Sequence, residues 1–183
     1  MQHGLSNHPL RVANVLLDPR FGGPQNYALQ IAAALKSTEI EMTAIMSSCD
    51  SEILFRKMKR NGIDAVRFSL LRRPSLRPFA LITAIAAFIP GVIQLAYFLR
   101  RKKVQVITVN GVMQITSVLA GKLAGARVLL VLHDTVSTPL FQGLFAVMSP
   151  MCDGYIVVSR RTKETYFSGI NSRWARKPVF EIP

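Results

Sequence analysis

Short apolar runs and helical patterns alternate along the whole chain. Residues 11–17 form the first run and read as a buried strand. Tyr27, Ile31, Ala34 and Leu35 then recur at helical spacing over residues 24–36. Residues 41–47 alternate like a strand, and residues 52–61 make a basic amphipathic helix with Gly62 placed as its C-cap. A third strand is expected over 65–70 and a fourth over 104–109. Ile115, Val118, Leu119 and Leu123 mark a helix that stops at Gly125. Strand 127–132, a short apolar helix 140–148 and strand 155–158 follow. Ser159 is placed to cap a further helix, and a last strand covers 178–182. Strictly alternating strands and helices predict an α/β fold, a doubly wound, Rossmann-like parallel sheet covered on both faces. Such a sheet binds its ligand at the carboxyl ends of its strands.

Those ends carry the candidate chemistry. The first strand runs into Phe21-Gly22-Gly23, and a helix begins at once with Pro24 in its first turn. Glycines ahead of a helix start can let a phosphate reach unpaired backbone N–H groups; the same dipeptide can also be a plain turn. The loop is neither G-x-G-x-x-G nor a P-loop. Asn110-Gly111 follows the fourth strand and His133-Asp134 the fifth. His133 can hydrogen-bond a sugar hydroxyl or phosphate, act as a general base, or cap the sheet edge. Asp134 can orient His133 or cap the next turn. Arg160 and Arg161 can hold a phosphate at a helix start or be a surface pair. Asp18 and Asp64 have no spacing that brings them together, and no Ser-His-Asp pattern or metal-ligand cluster is evident.

Charge changes the picture in the middle of the chain. The 183 residues carry a net charge of +13. Residues 56–103 hold 12 basic side chains against the single acid Asp64, so most of the excess lies there. Such a block points to an anionic surface. Within it, Arg72, Arg73 and Arg77 precede a charge-free stretch, residues 79–99, and Arg100, Arg101, Lys102 and Lys103 close it. The stretch is long enough to span a membrane, but Pro90-Gly91 interrupts it and both flanks are basic. A spanning helix would also split one sheet across the bilayer. The preferred expectation is a long or broken helix that packs on the sheet and dips one face into the membrane interface; a buried core helix is the alternative. Interleaved aromatics and nucleic-acid motifs are lacking, so nucleic acid is not an expected partner. Half the residues are apolar, which excludes a disordered chain. Residues 1–10 read as a flexible N-terminus without a signal-peptide core, and Cys49 and Cys152 form no framework.

Five segments together resemble a known family, the N-terminal domain of GT-B-fold retaining glycosyltransferases of family 4. They are the glycine-loop segment 11–24, the fourth strand 104–111, the fifth strand with its His133-Asp134, Cys152-Asp153-Gly154 with the strand that follows, and 177–183. The resemblance implies that residues 11–183 form one acceptor-side domain, with a membrane-docking segment at 72–103. It places donor contacts on Gly22 and Gly23 and the catalytic sugar contact on His133; Arg160 is the further donor-contact candidate from its place at a helix start, and Asn110, Gly111 and Asp134 are the acceptor-contact candidates from their places at the strand ends. The family's histidines in the fourth strand are replaced here by Thr108 and Asn110. No cofactor or metal is implied; the nucleotide-sugar is a substrate. The expected partners are a nucleotide-sugar, a lipid-linked or glycan acceptor and an anionic membrane, on the cytoplasmic face of the cell membrane. The family's second domain, with its basic residue and Glu-x7-Glu motif, has no counterpart within these 183 residues. That leaves an acceptor-side domain inactive alone, or a membrane-binding subunit that needs a separate donor-binding chain.

Overall fold

The computed structural model describes residues 9–18, 22–35, 37–48, 51–69, 78–133 and 138–182. The first part of the chain folds as β1 (Leu10–Leu16), α1 (Gly23–Leu35), β2 (Ile40–Ser47), α2 (Glu52–Arg60), β3 (Asp64–Phe68) and α3 (Pro78–Arg101). The rest folds as β4 (Val106–Asn110), α4 (Ile115–Ala124), β5 (Arg127–Leu132), α5 (Pro139–Met148), β6 (Gly154–Val157), α6 (Arg160–Tyr166) and β7 (Val179–Glu181). All strand pairs are parallel, in the order β3-β2-β1-β4-β5-β6-β7. The doubly wound sheet expected from the sequence is therefore present. Most of the expected N-terminal tail, residues 1–8, lies outside the described residues, and Leu10 already belongs to β1.

The apolar runs are continuous because each central strand is covered twice. Successive side chains point to opposite faces. Leu16 and Met46 join a core with Ala28 and Ala32 of α1 and Leu54 and Met58 of α2. Their neighbours Val15 and Ile45 join a second core with Val92, Leu95 and Leu99 of α3, Val118 of α4 and Phe145 of α5. Gly121 lets α4 press onto the sheet. A Cβ there would lie 2.6 Å from Ile107 Cγ2 and 2.9 Å from Val128 Cγ2.

The charge-free stretch departs from its sequence pattern. Pro90 does not break it: α3 runs unbroken from Pro78 to Arg101. Pro90 is exposed, so its ring stands away from the core and the hydrogen bond it forfeits lies on the open side of the helix. α3 connects β3 to β4, both members of one sheet, and this rules out spanning. Among the described residues, no helix is both long and apolar enough to cross a membrane. Two 3₁₀ segments, Ser149–Met151 and Gly169–Arg176, have no sequence signal, because a three-residue turn leaves no 3.6-residue period to read.

Lys177 ties these two segments together. Its Nζ donates to the carbonyls of Ser149 (2.7 Å), Pro150 (3.2 Å) and Cys152, and lies 5.5 Å from the centre of the Trp174 ring. An ammonium group here satisfies carbonyls at the end of α5, where the helix dipole is negative. Lys177→Met keeps the aliphatic stem and removes all three bonds. It is expected to cost about 2 kcal/mol in urea unfolding.

Candidate functional site

The strand order reverses between β1 and β4. β1 continues into α1 on one face, and β4 into α4 on the other. A crevice must open between them at their carboxyl ends, where doubly wound sheets bind ligands.

A chain of carboxamides and an imidazole runs along this edge. Asn14 sits inside the apolar run of β1 and is only 6% exposed. Asn110, the last residue of β4, donates from Nδ2 to Asn14 Oδ1 (2.6 Å) and to the Val15 carbonyl (2.9 Å). Its Oδ1 faces His133 Nε2 at 3.0 Å. Two acceptors at Nδ2 fix the amide orientation, so Oδ1 accepts and His133 Nε2 carries the proton. In the neutral ring Nδ1 is then the basic nitrogen. The Tyr27 ring meets His133 edge-on, with centroids 6.3 Å apart at 74°. Burial pushes the Tyr27 hydroxyl above its ordinary range, so it stays protonated at neutral pH.

Gln25, 3% exposed, holds the loop between β1 and α1. Its Nε2 donates to the Asp18 carbonyl (2.8 Å) and its Oε1 accepts from Gly22 N–H (3.1 Å). The Gly22 N–H is thus already used within the protein. Neither Gly22 nor Gly23 has positive φ. Among the described residues, a Cβ at Gly23 would meet nothing within 4 Å, and one at Gly22 only Gln25 Oε1 at 3.6 Å. Nothing in the described fold requires glycine at either position; the bare backbone there leaves room for a ligand. Gly111 differs: its φ of +91° demands glycine, and its N–H extends the ladder to the Val131 carbonyl (2.8 Å). Gln114, ahead of α4, donates to the Asn110 carbonyl; its Oε1 is buried with no partner among the described residues.

The structure therefore brings Gly22, Gly23, Asn110, Gly111 and His133 to one edge. Arg160 stands at the end of β6, 85% exposed in its side chain, and pairs with Glu164 on its own helix (3.0 Å). Asp134, Arg72, Arg73 and Arg77 lie outside the described residues. Arg100, Arg101, Lys102 and Lys103 are exposed at the opposite end of the sheet. A cavity of about 540 Å³ at that amino edge is lined by Arg11, Glu41, Asp64, Arg101 and Lys102. Arg11 there pairs with Glu41 and Asp64 with Lys59, and the cavity has no part in the crevice. No group of metal-ligating side chains occurs among the described residues. Asn14, Gln25, Tyr27 and Gln114 were missed by sequence reasoning. A polar residue inside an apolar strand was the one available signal, and it pointed to Asn14.

The model of Glycosyltransferase Family 4 matches residues 21–176, most of the chain. This chain belongs to that family. No curated protein matches it. Among solved structures, a family 4 chain of this fold is similar to a glycosyltransferase from Rickettsia africae ESF-5, with TM-score 0.72 and 16% identity. That match covers 95% of this chain and 42% of the other. MurG from Acinetobacter baumannii gives TM-score 0.64 at 17% identity, covering 94% and 46%. The UDP-GlcNAc 2-epimerase from Neisseria meningitidis, bound to UDP-GlcNAc, gives TM-score 0.63 at 13% identity, covering 94% and 45%. The family 4 chain thus spans less than half the length of each, and its fold is that of a single GT-B-type domain. Family 4 membership agrees with the resemblance read from the five segments.

Proposed function

We propose that residues 11–183 are the acceptor-side domain of a glycosyltransferase that moves a sugar from a nucleotide-sugar to a lipid-linked or polysaccharide acceptor. The observation that carries this reading is the Asn14–Asn110–His133 chain at the carboxyl edge of the β1–β4 reversal, where such sheets bind ligands. Gly22 and Gly23, which nothing among the described residues requires to be glycine, stand at the same edge of the sheet. The neighbouring epimerase fold holding UDP-GlcNAc supports a nucleotide-sugar as donor. His133 contacts the transferred sugar where it meets the acceptor, so both touch its ring; Gly22 and Gly23 face the donor diphosphate with Arg160 beyond them, and Asn110, Gly111 and Asp134 border the acceptor. Catalysis by such a site is positioning and stabilisation of the leaving diphosphate, and this needs a second wall for the nucleotide. These 183 residues alone are expected to give no turnover. The basic residues at 72–77 and 100–103 hold the domain to an anionic membrane on its cytoplasmic side. The same features suit a membrane-binding subunit paired with a separate donor-binding chain; transfer restored by adding such a chain would favour that variant.

The test is titration of the 183-residue protein with a short-chain polyprenyl-diphosphate sugar. Binding is expected, and His133→Ala should weaken it about tenfold with little change in melting temperature. Unchanged affinity in His133→Ala would remove the histidine from the site. Transfer by the lone chain would overturn its proposed inactivity.

A further inference from the structure

α3 has two apolar faces, and the sheet uses only one. Val92, Leu95, Ala96 and Leu99 point into the core. Ile82, Ile85, Ile89, Ile93 and Tyr97 point out, each 60–66% exposed. Spacings of three and four residues set these five in one line, about 22 Å long. Ala86 and Pro90 are the other exposed positions described between 82 and 97, so that side carries no charge at all. A helix on a protein surface normally turns a polar face outward. The first charge on this line is Arg100, one turn beyond Tyr97, followed by Arg101, Lys102 and Lys103. Arg100 donates to the Leu123 carbonyl, and the Leu123 side chain is itself exposed beside it.

Charge selects the occupant. Residues 56–103 carry 12 basic side chains and one acid. A second copy laid antiparallel on α3 would set its four terminal cations against the arginines that precede the helix in sequence. A parallel copy would set them against themselves. An apolar phase with a negative surface satisfies both parts of the pattern.

We propose that α3 lies flat at the boundary of headgroups and acyl chains in an anionic bilayer, its Ile82-Ile85-Ile89-Ile93 face inserted. Tyr97 and the cations at 100–103 sit at headgroup level, where an amphipathic ring and basic side chains are both stable. The inference deepens the membrane part of the proposed function and is independent of sugar transfer. It also orients the domain. α3 leads from the carboxyl end of β3 back to the amino end of β4, so the strands run alongside the bilayer. The crevice then opens along the membrane surface on the side of Ile82. A lipid-linked acceptor reaches it sideways, without leaving the bilayer.

The experiment uses the 183-residue protein and phosphatidylcholine–phosphatidylglycerol vesicles. Binding is expected to persist in about 0.5 M salt, where charge pairing alone is screened. Ile85→Ser/Ile89→Ser/Ile93→Ser keeps every charge and is expected to bind about 100-fold more weakly. The three sites are exposed, so circular dichroism and melting should not change. For orientation, a fluorophore is placed on Ile82→Cys or Tyr97→Cys in a Cys49→Ser background. Cys152 is buried and its thiol is pushed up to about 12, so it stays unlabelled. Quenching at both positions by lipids brominated near the carbonyl supports a flat helix. Binding that vanishes in salt, unchanged binding by the triple variant, or quenching at one end only overturns the proposal. So does a wild-type dimer that fails to bind vesicles and becomes monomeric in the triple variant. Failure of the glycosyltransferase reading would appear in the acceptor titration and leave vesicle binding intact.

Discussion

Phe145→Ala is expected to lower the unfolding free energy by about 3–5 kcal/mol, a large share of the roughly 5–15 kcal/mol that holds a domain folded. Phe145 is fully buried in α5. Its ring centre lies 5.6 Å from Tyr155, 5.3 Å from Tyr166 and 5.4 Å from Phe167. β6, α6 and the turn after α6 all meet on that ring. The surroundings cannot collapse into the space it would leave. Tyr155 is fixed by its hydroxyl, which donates to the Ser149 carbonyl (3.3 Å), and burial pushes that hydroxyl up to about 12. Tyr155 also packs edge-on against Phe167 at 5.0 Å. Thermal melting should shift down by roughly 10 °C. Phe145→Leu fills most of the volume and should cost less than half as much. A loss below about 1 kcal/mol for the alanine variant would mean that the cluster does not bear the β6 side of the sheet.

That cluster also shows where sequence reading succeeded and where it stopped. The central strands were legible because a strand buried on both faces must be apolar at nearly every position; β5 fell on residues 127–132 as expected. Ser159 caps α6 as expected, its side chain accepting from Thr162 N–H (3.1 Å). What joins Phe145 to Tyr166 and Phe167 is tertiary, and no periodicity records it. The same limit applied to α3. Its composition suited a core helix, an interfacial helix and a spanning helix, since all three are apolar, although its basic flanks favoured the interfacial one. The placing of β3 and β4 in one sheet ruled out the spanning helix.

The site was half legible for a related reason. The residues after each strand could be placed on one edge from order alone, which put Asn110 and His133 together before any distance was known. Their contact depends on the β4–β5 register, with Asn110 opposite Val131. Gln25 and Tyr27 looked like ordinary positions of α1. Their roles come from facing the loop and His133, and a helix pattern tells only which side faces the sheet. Asp153, within one of the family-like segments, proves structural. It accepts from Val128 N–H (2.7 Å) and Lys122 Nζ (2.9 Å). Burial would raise its carboxyl, but those two donors outweigh that and hold it below the usual range.

Asn110→Leu is expected to cost about 2–4 kcal/mol although the two side chains have the same number of heavy atoms and the same branching. Leucine removes the two donations to Asn14 Oδ1 and the Val15 carbonyl and the acceptor for His133 Nε2. Asn14 is then a buried amide without its partner, the costly half of a broken hydrogen bond. Removing the second amide should relieve that. The double variant Asn14→Leu/Asn110→Leu is expected to be less destabilised than the sum of the single variants by about 1–2 kcal/mol. Binding should not recover with it. Asn110 Oδ1 helps to set the tautomer and angle of His133 by accepting from Nε2, so the double variant should still bind the polyprenyl-diphosphate sugar about tenfold more weakly. Strict additivity in unfolding would show that the two carboxamides do not depend on each other. Recovery of binding along with stability would show that Asn110 supports the sheet edge and not His133.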